Sequence, residues 1–180
     1  MDKELEVKVL NISKDEIERK LLDIGACFIV KEHQKNYLID SKEKSLHDSN
    51  GSYLRLRETM NLETGKKKFI LTLKQNISNE HMRENIEVNS EIENKESIVY
   101  ILDTLGYKVV QEGHKERTSY QYENIRFDID TWDKKTYPYT YMEIEVSSKE
   151  DLEKAIDLLN IDKKNVTTKS ILELRNDLGM

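Results

Sequence analysis

Among 180 residues there is one cysteine, Cys27, so no intramolecular disulfide is possible. Its place in the apolar run ACFIV assigns it to core packing rather than to a catalytic thiol. Six glycines form no glycine-rich phosphate loop, so any anion must be held by side chains. The four histidines, His33, His47, His81 and His114, show no metal-ligand spacing and receive no role. No apolar stretch approaches the roughly 20 residues needed to span a bilayer, and the N-terminus lacks a charged-then-apolar signal segment. The expectation is a cytoplasmic protein with no membrane partner. A net charge of −6 disfavours a nucleic-acid surface, although a basic site can still be concentrated inside an acidic protein.

What the chain does have is charge, 36% of its residues against 37% hydrophobic, with the apolar positions set periodically through nearly every segment. This patterning argues for a folded chain, and its length for a single domain over residues 1–180. Glu4, Glu6 and Lys8 alternate with Leu5, Val7 and Val9, so one extended strand carries charge on one face and aliphatics on the other. The pattern returns in SYLRLRE (Arg55, Arg57), FILTLK (Lys74), around Glu87, in GHKERTSY (Lys115, Arg117), in RFDIDT (Arg126, Asp128, Asp130) and in YMEIEV (Glu143, Glu145).

Strands are expected near 3–10, 27–40, 52–59, 67–76, 83–90, 107–122, 124–132 and 139–147. Helices are expected from cap Ser13, with Glu16 in capping-box spacing, to Gly25; from Asn94 to Gly106; from Ser147, with Glu150, to Leu159; and over 168–178. Asn50-Gly51 marks a turn. Trp132, Tyr137, Tyr139 and Tyr141 read as packing residues rather than a base-stacking platform. Displacing the chain by 81 residues lays Leu5-Glu6-Val7 on Ile86-Glu87-Val88, Ser13 on Asn94, Gly25 on Gly106 and His33 on His114. Two equivalent strand-helix-strand halves related by a pseudo-twofold would point the charged faces inward. The expected fold is therefore α+β, an eight-stranded antiparallel closed tunnel with a charged lumen and helices packed outside.

Like charges two residues apart on one strand face repel, and burying an unpaired charge costs several kcal/mol. Such pairs are understood most simply if a ligand of opposite sign neutralises each set. Arginines and lysines suit phosphate oxygens, and clustered carboxylates suit Mg²⁺ or Mn²⁺. Together they read as metal plus polyphosphate.

The ordered run ELEVK, YLRLR, LTLK, HKER, FDID and MEIEV resembles the CYTH, or triphosphate tunnel metalloenzyme, family over nearly the whole chain. The resemblance implies an eight-stranded tunnel binding a triphosphate with a divalent metal, Mg²⁺ or Mn²⁺. It implies Glu4, Glu6, Glu143 and Glu145 as the acidic metal side, with Asp130 as a further carboxylate there and Asp128 able to share its role. It implies Lys8, Arg55, Arg57, Lys74, Lys115 and Arg117 as the residues holding the triphosphate, with Arg83 and Arg126 as additions. Glu87 matches an acidic strand position, and Glu6, Lys8 and Asp130 are the residues nearest the chemistry. One departure is Lys169-Ser170-Ile171, where members of the family often carry an aromatic after Lys-Ser; whether this segment closes over the tunnel is left open. The opening ELEVKV and the lack of an added helical domain resemble the class IV adenylyl cyclase branch, which converts ATP to cAMP and pyrophosphate. Hydrolysis of inorganic or thiamine triphosphate is the second reading, and noncatalytic binding of a polyphosphate or nucleotide the third. Monomer and homodimer are both open.

Overall fold

Alternation of apolar and charged residues dictates strands with two unlike faces, and closing the sheet on itself is the arrangement that puts all the charged faces inside. A computed structural model describes residues 2–43, 45–46 and 52–180. His47 and the Asn50-Gly51 turn lie outside the described residues. The strands are β1 (Asp2–Val9), β2 (Cys27–Asp40), β3 (Tyr53–Asn61), β4 (Lys67–Ser78), β5 (Arg83–Ile92), β6 (Lys108–Tyr122), β7 (Ile125–Trp132) and β8 (Tyr141–Val146). They pair antiparallel in the order β5-β4-β3-β2-β6-β7-β8-β1, and β1 closes the ring on β5. A two-residue strand, β9 (Val166–Thr167), occupies the part of β1's edge that β5 leaves free, opposite Lys8 and Val9. Its length hides it from any alternation test.

Helices α1 (Lys14–Asp23), α2 (Lys95–Thr104) and α3 (Lys149–Leu158) cover the outside, and α4 (Ile171–Asp177) ends the chain. Ile17 and Leu21 of α1 and Leu152, Ala155 and Ile156 of α3 pack on the outward residues Val7, Val9, Phe127, Ile129 and Ile144. Across the barrel, α2 lays Ile98, Val99 and Leu102 over Tyr37, Ile39 and Leu56.

The expected pseudo-twofold is present in the pairing itself. β1 begins at Asp2 and β5 at Arg83, α1 at Lys14 and α2 at Lys95, β2 at Cys27 and β6 at Lys108, the same 81-residue displacement each time. Exchanging the halves only reverses the strand order. The equivalent residues Glu4 and Asn85 face each other across β1 and β5, and Gln34 and Lys115 across β2 and β6, which puts the axis through both pairs.

Three local expectations need correction. Cys27 is exposed, because the apolar run opens β2 where only Ala26 reaches the core, leaving Phe28 and Ile29 partly in solvent. Ser13 stands at the N-cap of α1 but its hydroxyl caps nothing; Glu16 instead pairs with Lys20 at 3.1 Å. The cap of α3 is Ser148 rather than Ser147, and its hydroxyl accepts from the Asp151 amide at 3.1 Å.

Candidate active site in the tunnel

The inward residues enclose a cavity of about 580 Å³. The strands bring together Glu4, Glu6, Lys8, Arg55, Arg57, Lys74, Arg83, Glu87, Lys115, Arg117, Arg126, Asp128, Glu143 and Glu145 around it. Asp130 lies directly behind this lining, fully buried and bonded to Arg117 and Lys115. Every sequence-expected site residue is thus in or against the lumen.

The pseudo-twofold shows how the charge is arranged. Arg57 faces Asn36 across β2 and β3, and the equivalent pair in the other half is Asp130 opposite Arg117. Arg55 lies opposite Leu38, and the equivalent pair is Asp128 opposite Ser119. Lys74 faces Tyr53, and the equivalent pair is Glu145 opposite Arg126. One scaffold position therefore holds a cation on the β3–β4 wall and a carboxylate on the β7–β8 wall. Between these two walls the backbone is symmetric and the charge reversed, whereas Glu6 and Glu87, equivalent on β1 and β5, keep the same sign.

A model of the CYTH domain matches residues 2–171. This chain belongs to the CYTH domain family. A Methanocaldococcus jannaschii protein named "Putative adenylate cyclase" is 28% identical over 96% of this CYTH chain and 98% of its own. A Pyrococcus horikoshii structure superposes with TM-score 0.81 at 24% identity, covering 97% of this chain and 99% of that one. A Hippeastrum structure, described as a "putative adenylyl cyclase" that reveals a dominant triphosphatase activity, does so at 0.67 and 14% identity, covering 94% and 91%.

Within this CYTH tunnel most cations are already paired. Arg117 reaches Asp130 through Nε at 2.7 Å and Nη2 at 2.6 Å, Asp128 at 2.5 Å and Glu143 at 2.5 Å. Lys115 meets Asp130 at 2.5 Å, and the Tyr141 hydroxyl donates to the same carboxylate at 3.2 Å while accepting from Trp132 Nε1 at 2.9 Å. Lys8 pairs with Glu143 at 3.3 Å; Lys74 pairs with Glu4, with Glu6 at 3.2 Å and with Glu87 at 3.1 Å; Arg126 pairs with Asp128 at 3.0 Å. Arg83 is held more loosely, 3.9 Å from Glu6 and 3.5 Å from Glu173.

Arg55 and Arg57 differ. Among the described residues neither has a carboxylate within ion-pair distance; Arg57 Nε donates to Asn36 Oδ1 at 2.7 Å, and Arg55 Nε is buried with no partner. Burial, with Arg55 and Arg117 beside it, pushes the Arg57 guanidinium below its ordinary range. Asn36 Nδ2, next to it, is also a buried donor without an acceptor.

The acidic side splits in two. Against the burial that would raise them, Lys8 and Arg117 hold Glu143 well below the usual carboxylate range, and Arg117 and Lys115 hold Asp130 low. Burial and the neighbouring Glu6 push Glu4 up to about 7, and burial with Asp128 raises Glu145. Glu6 and Glu145 are register partners on adjacent strands, like charges directly opposite one another. Among the described residues no three acidic, cysteine or histidine side chains are gathered in ready metal-binding geometry.

Asn36 and Arg175 are among the lumen residues that escaped the sequence reading. Asn36 shares the parity of Glu32 and Gln34, a signal that was there to use. Arg175 reaches the cavity from α4, where strand parity says nothing. The segment following Lys169 does contact the mouth despite lacking an aromatic: Ile171 and Leu174 pack against Tyr137, Tyr141, Trp132 and Leu10. Trp132, Tyr137 and Tyr141 pack as expected, whereas Tyr139, also expected to pack, is exposed; Trp132 and Tyr141 line the tunnel as well. No helix among the described residues is long and apolar enough to cross a membrane.

Proposed function

We propose that this chain is a metal-dependent enzyme acting on a triphosphate in the tunnel, in the manner of an adenylyl cyclase that converts ATP to cAMP and pyrophosphate. The observation that carries the triphosphate reading is the set of unneutralised donors: Arg55 and Arg57 without carboxylates, and Arg55 Nε and Asn36 Nδ2 buried without acceptors. A buried donor left unmade costs about 1–3 kcal/mol, and an anionic oxygen removes that cost while supplying charge-assisted bonds.

The acidic wall suits a hard divalent cation. Glu6 and Glu145 oppose each other with oxygen donors only, and Mg²⁺ commonly takes one or two carboxylates plus substrate phosphates rather than a complete protein cage. Glu4 stands beside Glu6 and would complete the set. A bound Mg²⁺ or Mn²⁺ would relieve the repulsion among these carboxylates and offset charge on the phosphate oxygens.

The protein's own part is positioning and electrostatics. Arg55, Arg57 and Lys74 approach the triphosphate from the basic wall, and Lys8 from β1 between Glu6 and the β8 carboxylates. Lys115 and Arg117, engaged with Asp130 and its neighbours, hold the acidic wall rigid and present positive charge across the lumen. In cyclisation the ribose 3′-oxygen bonds the α-phosphorus as the bond to the β-phosphate oxygen breaks. The hydroxyl proton must leave as that bond forms, and the tunnel carboxylates are the acceptors that the lumen offers.

The name of the Methanocaldococcus relative supports the cyclase form. The Hippeastrum neighbour supports a second reading, attack by water on the terminal phosphorus with release of orthophosphate. Purified protein with Mg²⁺ or Mn²⁺, offered ATP, inorganic triphosphate and thiamine triphosphate in parallel, tests both. Cyclic AMP with equimolar pyrophosphate supports the cyclase; orthophosphate from any of the three supports the hydrolase. Absence of turnover with retained binding overturns both in favour of a noncatalytic binder.

A further inference from the structure

Among the described residues the tunnel holds a third cation without a carboxylate partner, and it comes from outside the barrel. Arg175 lines the cavity together with Ser170, Ile171 and Leu172, and its Nε is buried with no hydrogen-bond partner. Among the described residues it makes no ion pair. The acids of its own helix are taken elsewhere: Glu173 accepts from the Ser170 amide at 2.7 Å and lies 3.5 Å from Arg83, and Asp177 accepts from Lys169 at 2.7 Å. A surface arginine ordinarily runs its methylenes over apolar groups and leaves the head in water. Arg175 instead stands one helical turn after Ile171, beside Leu174, on the side of α4 that packs on Tyr137 and Tyr141. Its situation matches Arg55, the other arginine in the tunnel whose Nε is buried and unpaired.

We infer that Arg175 is a further substrate-binding residue, carried to the tunnel mouth by α4 to take an anionic oxygen of the same triphosphate that Arg55 and Arg57 hold. This rests on the proposed function. It adds that the ligand bridges the barrel and the C-terminal helix, so that binding fastens α4 down.

The test uses the full chain with inorganic triphosphate, titrated calorimetrically with and without Mg²⁺, and follows hydrogen exchange over residues 171–177. The variants are Arg175→Met, which keeps the apolar stem, Arg175→Lys, which keeps the charge, and Arg57→Ala. Arg175→Met is expected to weaken triphosphate binding by about 10- to 100-fold, the loss of one or two charge-assisted hydrogen bonds, and Arg175→Lys to recover part of it. Triphosphate should slow exchange in α4 of the wild type and leave Arg175→Met unchanged, while the two proteins exchange alike without ligand. If Arg57→Ala loses binding but Arg175→Met binds and protects α4 as the wild type does, this inference alone fails. If Arg175→Met frees α4 without ligand, the role is structural and the inference fails. If the wild type does not bind triphosphate, the proposed function fails and takes the inference with it.

Discussion

Asp130 and Arg57 occupy pseudo-equivalent positions, and their surroundings give them opposite roles in stability. Asp130 is 0% exposed and neutralises Arg117 and Lys115 at once. Replacing it with asparagine leaves two buried cations short of a partner, so Asp130→Asn should destabilise the protein by about 3–5 kcal/mol in urea unfolding. Arg57 has no carboxylate to leave behind, and its charge is opposed by Arg55 and Arg117. Arg57→Ala should therefore hold or slightly raise the unfolding midpoint while losing triphosphate binding; a drop comparable with Asp130→Asn would mean that Arg57 is a structural ion-pair partner. Both residues were recognisable in the sequence as inward charges, because parity on a strand fixes facing. Which cations are neutralised was not recognisable. Arg117 meets Glu143 across an intervening strand, and that contact exists only once β6, β7 and β8 have assembled side by side.

Among the elements, α4 depends most on its cap. It has seven residues, too few to be stable alone, and buries only Leu174. Ser170 and Glu173 form a reciprocal capping box, the Ser170 hydroxyl accepting from the Glu173 amide at 3.2 Å while the Glu173 carboxylate accepts from the Ser170 amide at 2.7 Å. Ser170→Ala should remove about 1 kcal/mol from the local stability of α4, seen as roughly fivefold faster amide exchange over 171–177 with little change in the global midpoint. Equal slowing or acceleration throughout the barrel would instead make α4 part of the cooperative core. The same motif shows where local reading stops. Ser13 and Glu16 have capping-box spacing but the box does not form, since Glu16 is drawn to Lys20. The long elements with clear periods were legible within a residue or two, as were the halves at their 81-residue displacement. Two-residue β9, and the reach of Arg175 into the tunnel, depend on the folded chain returning to β1 and the mouth.

For the molecule as a whole, tunnel carboxylates shifted in opposite directions give apo stability two pH limbs of opposite sign. Glu143 and Asp130 titrate below their ordinary values of 4.5 and 3.8, so the stability they contribute is present at neutral pH and is lost progressively as pH falls below those values. Glu4 works the other way. Burial, then Glu6 and Glu87, raise it from 4.5 to about 7 even with Lys74 in contact, so the folded state holds this proton more tightly than the unfolded chain does. Its contribution is complete below 4.5 and disappears as pH rises to about 7, an effect of order 3–4 kcal/mol at about 1.4 kcal/mol per unit of pKa. Unfolding without divalent metal should therefore lose the Glu4 contribution between pH 4.5 and about 7, and regain stability above neutrality, where Lys115, lowered to about 7 by burial and Arg117, sheds its proton in the folded state before it does in the unfolded chain. Glu4→Gln should match the wild type near pH 4.5, pull ahead through pH 7 and stay ahead at pH 8, because glutamine keeps an acceptor for Lys74 without the charge that Glu6 and Glu87 oppose. If Glu4→Gln is instead the less stable protein at pH 8, the Lys74–Glu4 pair outweighs the crowding of carboxylates, and the acidic wall is a structural salt-bridge network rather than a site held ready for a cation.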